Sequence, residues 1–146
     1  MTADFFTQMR SMMTFQRALV NERALAGEES LSRLLTSRDV IRFATLAGAR
    51  QLQLDHKTGT LTLGKEADII LLDAGAIKVA PLNHVPGAVV TLMERSNVDS
   101  VIVAGRIRKW RGRLVDVDVA ALRRELERSR EYLFDAAGVK QDLFRS

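Results

Sequence analysis

The chain has 146 residues, with 22 lysines and arginines against 18 aspartates and glutamates, so its formal net charge is +4 at pH 7. No apolar run approaches the ~20 residues that a membrane-spanning helix needs. The chain contains no cysteine, which excludes disulfides and thiolate metal sites and fits a reducing cytoplasm, where we expect the protein to reside. Its charges are interspersed and only 5% of its residues are aromatic, so we expect neither nucleic-acid nor membrane binding.

The N-terminal part of the sequence predicts helices. Residues 4–25 carry apolar side chains at helical spacing, which predicts a long helix whose apolar face packs into a core. That face comprises Phe5, Phe6, Met9, Met12, Met13, Leu19 and Val20. Asp4 suits the positive end of this helix, and Ala26-Gly27 ends it. A short helical turn is predicted for residues 28–35, and Thr36-Ser37 with Asp39 caps a second helix that runs to about Leu52.

Residues 59–73, with the sequence GTLTLGKEADIILLD, predict a β-hairpin. Residues 60–63 alternate polar and apolar, as a half-buried strand does. Gly64-Lys65 provides the turn, because glycine accepts backbone angles that other residues resist. Residues 67–72 form a short, nearly unbroken apolar run, which predicts a strand buried on both faces.

The remainder of the sequence predicts more strands and a final helix. A short irregular strand is expected at residues 77–82, and residues 88–93 are either helical or extended. Strands follow at residues 98–104, 107–110 and 114–115, and the basic side chains of Arg106, Arg108 and Lys109 indicate a protected sheet edge. Asp118 caps a helix over residues 119–137, Gly138 ends it, and the last eight residues form a tail.

Three separate segments of this sequence have distinctive residue patterns. They are Gly48-Ala49-Arg50-Gln51-Leu52 with Leu54, then the segment GTLTLGKEADIILLD, and then residues 98–106 followed by Arg111-Gly112-Arg113. In order and spacing the blocks resemble the C-terminal region of the amidohydrolase superfamily, in the branch of cytosine, guanine and S-adenosylhomocysteine deaminases and triazine hydrolases. The resemblance runs from about Asp4 to about Val139.

The resemblance implies a fold and a division of the chain. Residues 1–55 correspond to the last helices of a (β/α)8 barrel, residues 56–117 to a β-sandwich-like sheet segment, and residues 118–146 to a C-terminal helix and tail. In the family, strands from the N-terminus of the same chain complete the sandwich. We therefore predict an α+β fold in which helices pack on a small, mostly antiparallel sheet.

The resemblance also implies a chemistry whose residues this sequence lacks. Family members hydrolyse C–N bonds of ring substrates with a divalent metal, zinc or iron. The metal is held inside the barrel by a His-x-His, further histidines and an aspartate. Such a site needs several imidazoles and a carboxylate that converge on one ion. This sequence has only His56 and His84, neither in a His-x-His.

No catalytic, cofactor-binding or metal-binding residue is therefore predicted in this chain. His56 and His84 are expected in loops as surface or hydrogen-bonded side chains, with a shared ion as the alternative. Asp4 resembles the helix start that follows the strand carrying the family's metal aspartate, so metal binding is not carried onto Asp4. The sequence contains neither a serine nucleophile motif nor a phosphate-binding glycine loop.

Three functions are compatible with these observations. The chain is expected to be the C-terminal part of a metal-dependent hydrolase, inactive alone. It could instead be one half of a split hydrolase that an N-terminal barrel chain completes, or a non-enzymatic, oligomerising β-sheet module. The substrate is not readable from the sequence. Because apolar faces would lack their barrel partner, we expect a homo-oligomer in which the N-terminal helices or the sheet edges of two copies cover each other.

Overall fold

The computed structural model describes residues 4–140, which divide into two compact units between Val115 and Asp116. The first unit contains the helices α1 (Phe5–Leu25), α2 (Ser37–Arg42), α3 (Gly48–Gln51) and α4 (Val85–Thr91), and the strands β1 (Ile69–Leu72), β2 (Val98–Val103), β3 (Arg106–Trp110) and β4 (Arg113–Leu114). The second unit contains α5 (Val119–Ala137). None of the described helices is long and apolar enough to cross a bilayer. The predicted three-segment division of the chain stays a prediction.

Helix α1 begins and ends where the sequence predicts. Asp4 is its N-cap and accepts hydrogen bonds from Phe6 N at 3.1 Å and Thr7 Oγ1 at 2.7 Å. The hydrogen bond from Thr7 is the largest cause that lowers the pKa of Asp4 from its ordinary value. Gly27 follows the C-cap with a φ of 82°, a conformation that glycine adopts without strain.

Residues 28–36 contain no helical turn, so the prediction of a short helix there is wrong. The segment runs alongside α1, and side chains of α1 satisfy its backbone. Gln16 donates to Arg33 O at 3.1 Å and accepts from Leu35 N at 3.0 Å. Because these longer-range bonds supply the partners that a helical turn would supply internally, the segment stays extended.

The predicted second helix is present, and it is capped as expected. Thr36 and Asp39 form a capping box, in which Thr36 Oγ1 accepts from Asp39 N and Asp39 accepts from Thr36 N at 2.8 Å. Arg33 contacts the same carboxylate at 2.9 Å. The chain continues through a π-helical turn, Phe43–Ala47, into α3. The three parts therefore form one continuous helical segment that ends at Gln51, and its middle turn is a wider π-helical turn.

The predicted hairpin partner at residues 60–63 is not a strand. Within residues 4–140 no strand pairs with this segment, and Leu61 and Leu63 are exposed. The segment instead makes a local turn contact, in which Lys65 N donates to Thr62 O at 3.2 Å. The turn at Gly64 is present, with a φ of 88°, but it lies within a loop.

The sheet is open and antiparallel, with the order β1-β2-β3-β4. β1 is two residues shorter than predicted. The expectation that β1 is buried on both faces is wrong, since Ile70 and Leu71 are about half exposed. As an edge strand, β1 has a sheet neighbour on one side only, so its apolar sequence does not ensure burial. β4 covers Arg113–Leu114, one residue earlier than predicted, and it pairs with β3. The prediction of a sheet edge at Arg106, Arg108 and Lys109 is therefore wrong, because β3 lies between β2 and β4.

The segment between β1 and β2 differs from the predicted strand at residues 77–82. Ile77–Val79 forms a 3-10 turn, followed by a cis peptide bond between Ala80 and Pro81. The proline cannot donate to a ladder, which explains why no strand continues here. The ambiguous residues 88–93 lie mostly in the helix α4, which begins at Val85.

The core of the first unit lies between α1, α2 and α4, and α1 contacts both other helices. Its buried members are Phe6, Met9, Met13, Val40, Val79, Ala88, Val90 and Met93. Leu72 of β1 and Val98 of β2 pack against this core, so the sheet and the helices share it. The predicted α+β class is confirmed. The apolar face of α1 is only partly buried, because Phe5, Met12 and Leu19 lie on its exposed side.

The second unit is a single amphipathic helix with well-formed ends. Asp118 accepts from Ala121 N at 2.9 Å, and Gly138 adopts a φ of 63° while donating to Asp135 O. Val139 N donates to Phe134 O, which completes a Schellman motif. Both predicted ends of α5 are confirmed. Most of the predicted tail, residues 141–146, lies outside the described residues.

Candidate functional site

The first unit carries an apolar depression of about 480 Å³. Four segments form it: the start of α1, residues 44–54 at the end of the helical segment and just after it, the loop 58–61, and the start of β1. The lining residues are Phe5, Ala44, Thr45, Gly48, Ala49, Leu52, Leu54, Thr58, Gly59, Thr60, Leu61, Asp68, Ile69 and Ile70. Phe5, Leu61 and Ile70 are exposed, so the depression is an open surface and not an enclosed cavity.

One close backbone approach shapes the wall of the depression. A Cβ added at Gly59 would lie 2.8 Å from Ala49 Cβ and 3.2 Å from Leu46 Cα. Gly59 also has a φ of 88°, which other residues rarely adopt. The loop 58–61 can therefore contact α3 only because a glycine stands at this position and an alanine faces it.

Asp68 is the one charged side chain among these lining residues, and it is fully engaged. Its carboxylate accepts from Ala104 N at 2.7 Å and from Thr58 Oγ1 at 2.9 Å. These hydrogen bonds, the one from Ala104 first, lower the pKa of Asp68 from its ordinary value. Asp68 thus joins the loop, β1 and the turn after β2, and its role is structural.

The two histidines lie on different segments. His84 is the N-cap of α4, where its Nδ1 accepts a hydrogen bond from Gly87 N at 3.0 Å. His56 lies exposed in the turn after α3. Within residues 4–140 no group of three or more His, Asp or Glu side chains is placed to hold a metal ion. The residues described here do not fit the ligand set of a catalytic zinc, which needs at least three converging donors.

Asp4 is also accounted for by its local contacts. Its two carboxylate oxygens accept from Phe6 N and Thr7 Oγ1, which is the geometry of a helix cap. The arrangement as a whole offers an apolar contact surface with engaged polar groups around it. Such a lining can bury apolar area against another surface.

Comparison with known proteins identifies the family. Residues 1–108 match the model described as the amidohydrolase family. This chain belongs to the amidohydrolase family. The part of the family that it matches is the C-terminal region, as the three sequence blocks predict.

The curated relatives of this amidohydrolase chain include several deaminases. A 5-methylthioadenosine/S-adenosylhomocysteine deaminase of Caldanaerobacter subterraneus subsp. tengcongensis is 30% identical over 130 residues, which are 89% of this chain and 28% of the relative. A 5'-deoxyadenosine deaminase of Methanobrevibacter smithii is 25% identical over 136 residues, which are 92% of this chain and 29% of the relative.

Solved structures agree with these similarities. An adenosine deaminase from Xanthomonas campestris with bound zinc superposes with a TM-score of 0.70 at 28% identity, over 87% of this chain and 27% of that protein. The atrazine chlorohydrolase TrzN from Arthrobacter aurescens TC1, complexed with zinc, gives a TM-score of 0.70 at 17% identity, over 84% and 25%. The latter likeness shows the fold alone. The chain spans under three tenths of the length of each of these four proteins.

Sequence reasoning assigned no residue to the apolar depression. Its members are spread over four segments that only tertiary structure brings together. One signal was present nonetheless, since Leu61 lies between two threonines in a short stretch that begins at Gly59 and ends at Gly64. A loop that carries a large apolar side chain between flexible residues is a candidate contact element.

Proposed function

We propose that this chain is the C-terminal portion of a hydrolytic deaminase that acts on the amino group of an adenine nucleoside, in the class of 5'-methylthioadenosine and S-adenosylhomocysteine. The similarity to deaminases over 89% of the chain supports the reaction class. In this proposal the protein resides in the cytoplasm, in agreement with its lack of cysteine.

The apolar depression is the observation that carries the proposed role. Its lining offers exposed aromatic and aliphatic side chains, and its one carboxylate is already engaged. Such a surface contributes binding energy by burial, at roughly 25 cal/mol per Å² of apolar area. In the proposal the depression contacts the metal-bearing barrel part of the enzyme, on the same polypeptide or on a second one.

The metal and the substrate are therefore held by groups outside the described residues. The family's divalent metal, zinc or iron, requires a ligand set that residues 4–140 do not assemble. We expect the chain alone to bind no catalytic metal and to deaminate no substrate. Its contribution is to complete and stabilise the catalytic barrel.

A complementation experiment tests this proposal. A truncated form of the Caldanaerobacter deaminase, lacking the segment that aligns with this chain, is mixed with the purified chain. We expect the two polypeptides to copurify and to deaminate 5'-methylthioadenosine, while each is inactive alone. Conversion of the adenine to a hypoxanthine ring is followed by ultraviolet absorbance.

A matched pair of variants locates the contact. Phe5 lines the depression and is 61% exposed, whereas Phe15 lies on the same helix outside it and is 70% exposed. Phe5→Asp is expected to abolish copurification without unfolding the chain, and Phe15→Asp is expected to have little effect. Equal behaviour of the two variants, or a folded wild-type chain that never restores activity, would count against the proposal.

A second candidate function is the oligomerising module. The observation that favours it is the exposed side of α1, where large apolar residues recur at spacings of seven, three and four: Phe5, Met12, Phe15 and Leu19. A second copy could cover this side or the free edge of β1. Met12→Glu with Phe15→Glu would then reduce the sedimenting mass, whereas complementation of a truncated deaminase would not occur.

A further inference from the structure

Helix α5 carries a continuous apolar stripe that the described part of its own unit leaves uncovered. From Val119 the residues of the stripe follow steps of three, four, three, four and three: Val119, Leu122, Leu126, Ser129, Leu133 and Ala136. The four large members are each between 53% and 63% exposed, and α5 has no buried residue. Residues that alternate at steps of three and four occupy the a and d positions of a coiled coil, which face a partner helix. Here Val119, Leu126 and Leu133 are the a residues, and the other three are the d residues.

The charges beside this stripe are arranged by sign. Asp118 and Glu125 lie at g positions, because each stands one residue before an a residue. Asp118 precedes Val119, and Glu125 precedes Leu126. On the other flank, Arg123 and Arg130 lie at the e positions, one residue after a d residue. One side of the stripe is thus acidic and the other basic over two heptads.

For two copies of α5, this arrangement favours one orientation over the other. In a parallel pair of identical helices, a g residue faces the e residue five positions later in the other chain, so Glu125 meets Arg130 of the second copy and Asp118 meets its Arg123. In an antiparallel pair, g faces g and e faces e, which would oppose acid to acid and arginine to arginine. The charges therefore favour the parallel pair and disfavour the antiparallel one.

We propose that α5 is a dimerisation element that forms a short, parallel, in-register two-stranded coiled coil with α5 of a second copy of this chain. The inference is independent of the deaminase proposal, and it uses a different surface from the exposed side of α1 and from the sheet edges. At about 1.5 Å per residue the seam from Val119 to Ala136 is about 26 Å long. Ser129 is the one polar member of the seam, and two copies of it would face each other.

Glu125 remains available for an ion pair with Arg130 of a second copy. Within its own helix Glu125 is paired with Arg128 at 3.3 Å, and both side chains are more than 60% exposed. Exposed pairs of this kind contribute little to stability, so Arg130 of a second copy can share the carboxylate. Arg130 is likewise only loosely paired, with Glu131 at 3.7 Å.

A charge-swap experiment on the full chain tests the dimer. Sedimentation equilibrium over a range of protein concentrations is run for the wild type, Glu125→Arg, Arg130→Glu and the double variant. Each single variant places like charges opposite each other twice per dimer, so we expect at least a fivefold weaker dimer. The double variant restores opposite charges and is expected to return to near wild-type association. Glu127→Arg, the same change at a position away from the seam, is the matched control and leaves association unchanged.

Cysteine cross-linking tests the orientation. The wild-type chain has no cysteine, so a single introduced thiol reports only on its own counterpart. In a parallel, in-register pair, Leu122→Cys and Ser129→Cys each form a disulfide-linked dimer under mild oxidation. An antiparallel pair would cross-link at one of the two positions at most. A monomeric wild type, a dimer insensitive to the charge changes, or a cross-link at only one position would overturn the proposal, whereas rescue by the double variant with cross-links at both supports it.

Discussion

Gly59 lies so close to Ala49 that a Cβ added at Gly59 would stand 2.8 Å from the Cβ of Ala49, a separation that real Cβ atoms essentially never show. The contact holds the loop 58–61 against α3 and so forms one wall of the apolar depression. Gly59→Ala should therefore destabilise the chain by about 2–4 kcal/mol, through backbone strain at positive φ and steric overlap together.

Gly64→Ala separates these two contributions. Gly64 has the same φ of 88° but no neighbour within 4 Å, so only the backbone strain is introduced, at about 1–2 kcal/mol. Urea unfolding of both variants measures the difference. Equal losses at the two glycines would show that the contact with Ala49 has no energetic weight.

Two adjacent methionines of α1 should respond differently to truncation. Met13 is 9% exposed in the core, whereas Met12 is 46% exposed on the outer side of the helix. Met13→Ala removes buried surface and leaves a cavity, so we expect a loss of about 2–5 kcal/mol. Met12→Ala should cost about 0.5 kcal/mol or less. A larger loss at Met12, read from thermal or urea unfolding, would place the wrong face of α1 in the core.

Arg10 should matter more than other arginines of α1. Its guanidinium donates to Val90 O at 3.3 Å and to Met93 O at 2.9 Å, carbonyls at the end of α4 and just after it. Arg10→Ala leaves these partly buried acceptors unpaired, and we expect a loss of about 1–3 kcal/mol. Arg17→Ala, which removes an exposed bond to Leu35 O, is the control and should cost under about 1 kcal/mol. Similar losses for the two variants would contradict the assignment.

The capping box should make stability depend on pH in a defined direction. The hydrogen bonds from Arg33 and Thr36 hold the pKa of Asp39 well below its ordinary value of 3.8. A depressed pKa in the folded state adds stability above the unfolded pKa, and this contribution is lost as the pH falls below about 4. The difference in unfolding free energy between wild type and Asp39→Asn should shrink on acidification. A constant difference between pH 6 and 3 would disprove the linkage.

Local chemistry explains which elements could be predicted from the sequence. Thr36, Asp39, Asp118 and Gly138 mark helix ends because a cap needs only residues within a few positions along the chain. The strands β2 and β3 likewise follow from residue type and turn chemistry. For these elements the prediction requires no knowledge of the rest of the fold.

Predictions that depended on long-range pairing were less successful. Residues 60–63 alternate like a strand but become a loop, because alternation does not provide a pairing partner. The apolar sequence around Ile70 and Leu71 predicts a strand that is buried on both faces, but β1 is an edge strand and both side chains are about half exposed. The apolar depression could not be predicted at all, since it depends on the approach of Gly59 to Ala49 across nine residues of intervening chain.

The proposed function places the catalytic groups in the barrel part of the enzyme and not in this chain. Its most direct test measures zinc content and 5'-methylthioadenosine deamination for the purified, untagged chain after incubation with zinc and dialysis. We predict far less than one zinc per chain and no turnover. Stoichiometric zinc together with turnover that disappears in His56→Ala or His84→Ala would contradict the proposed function.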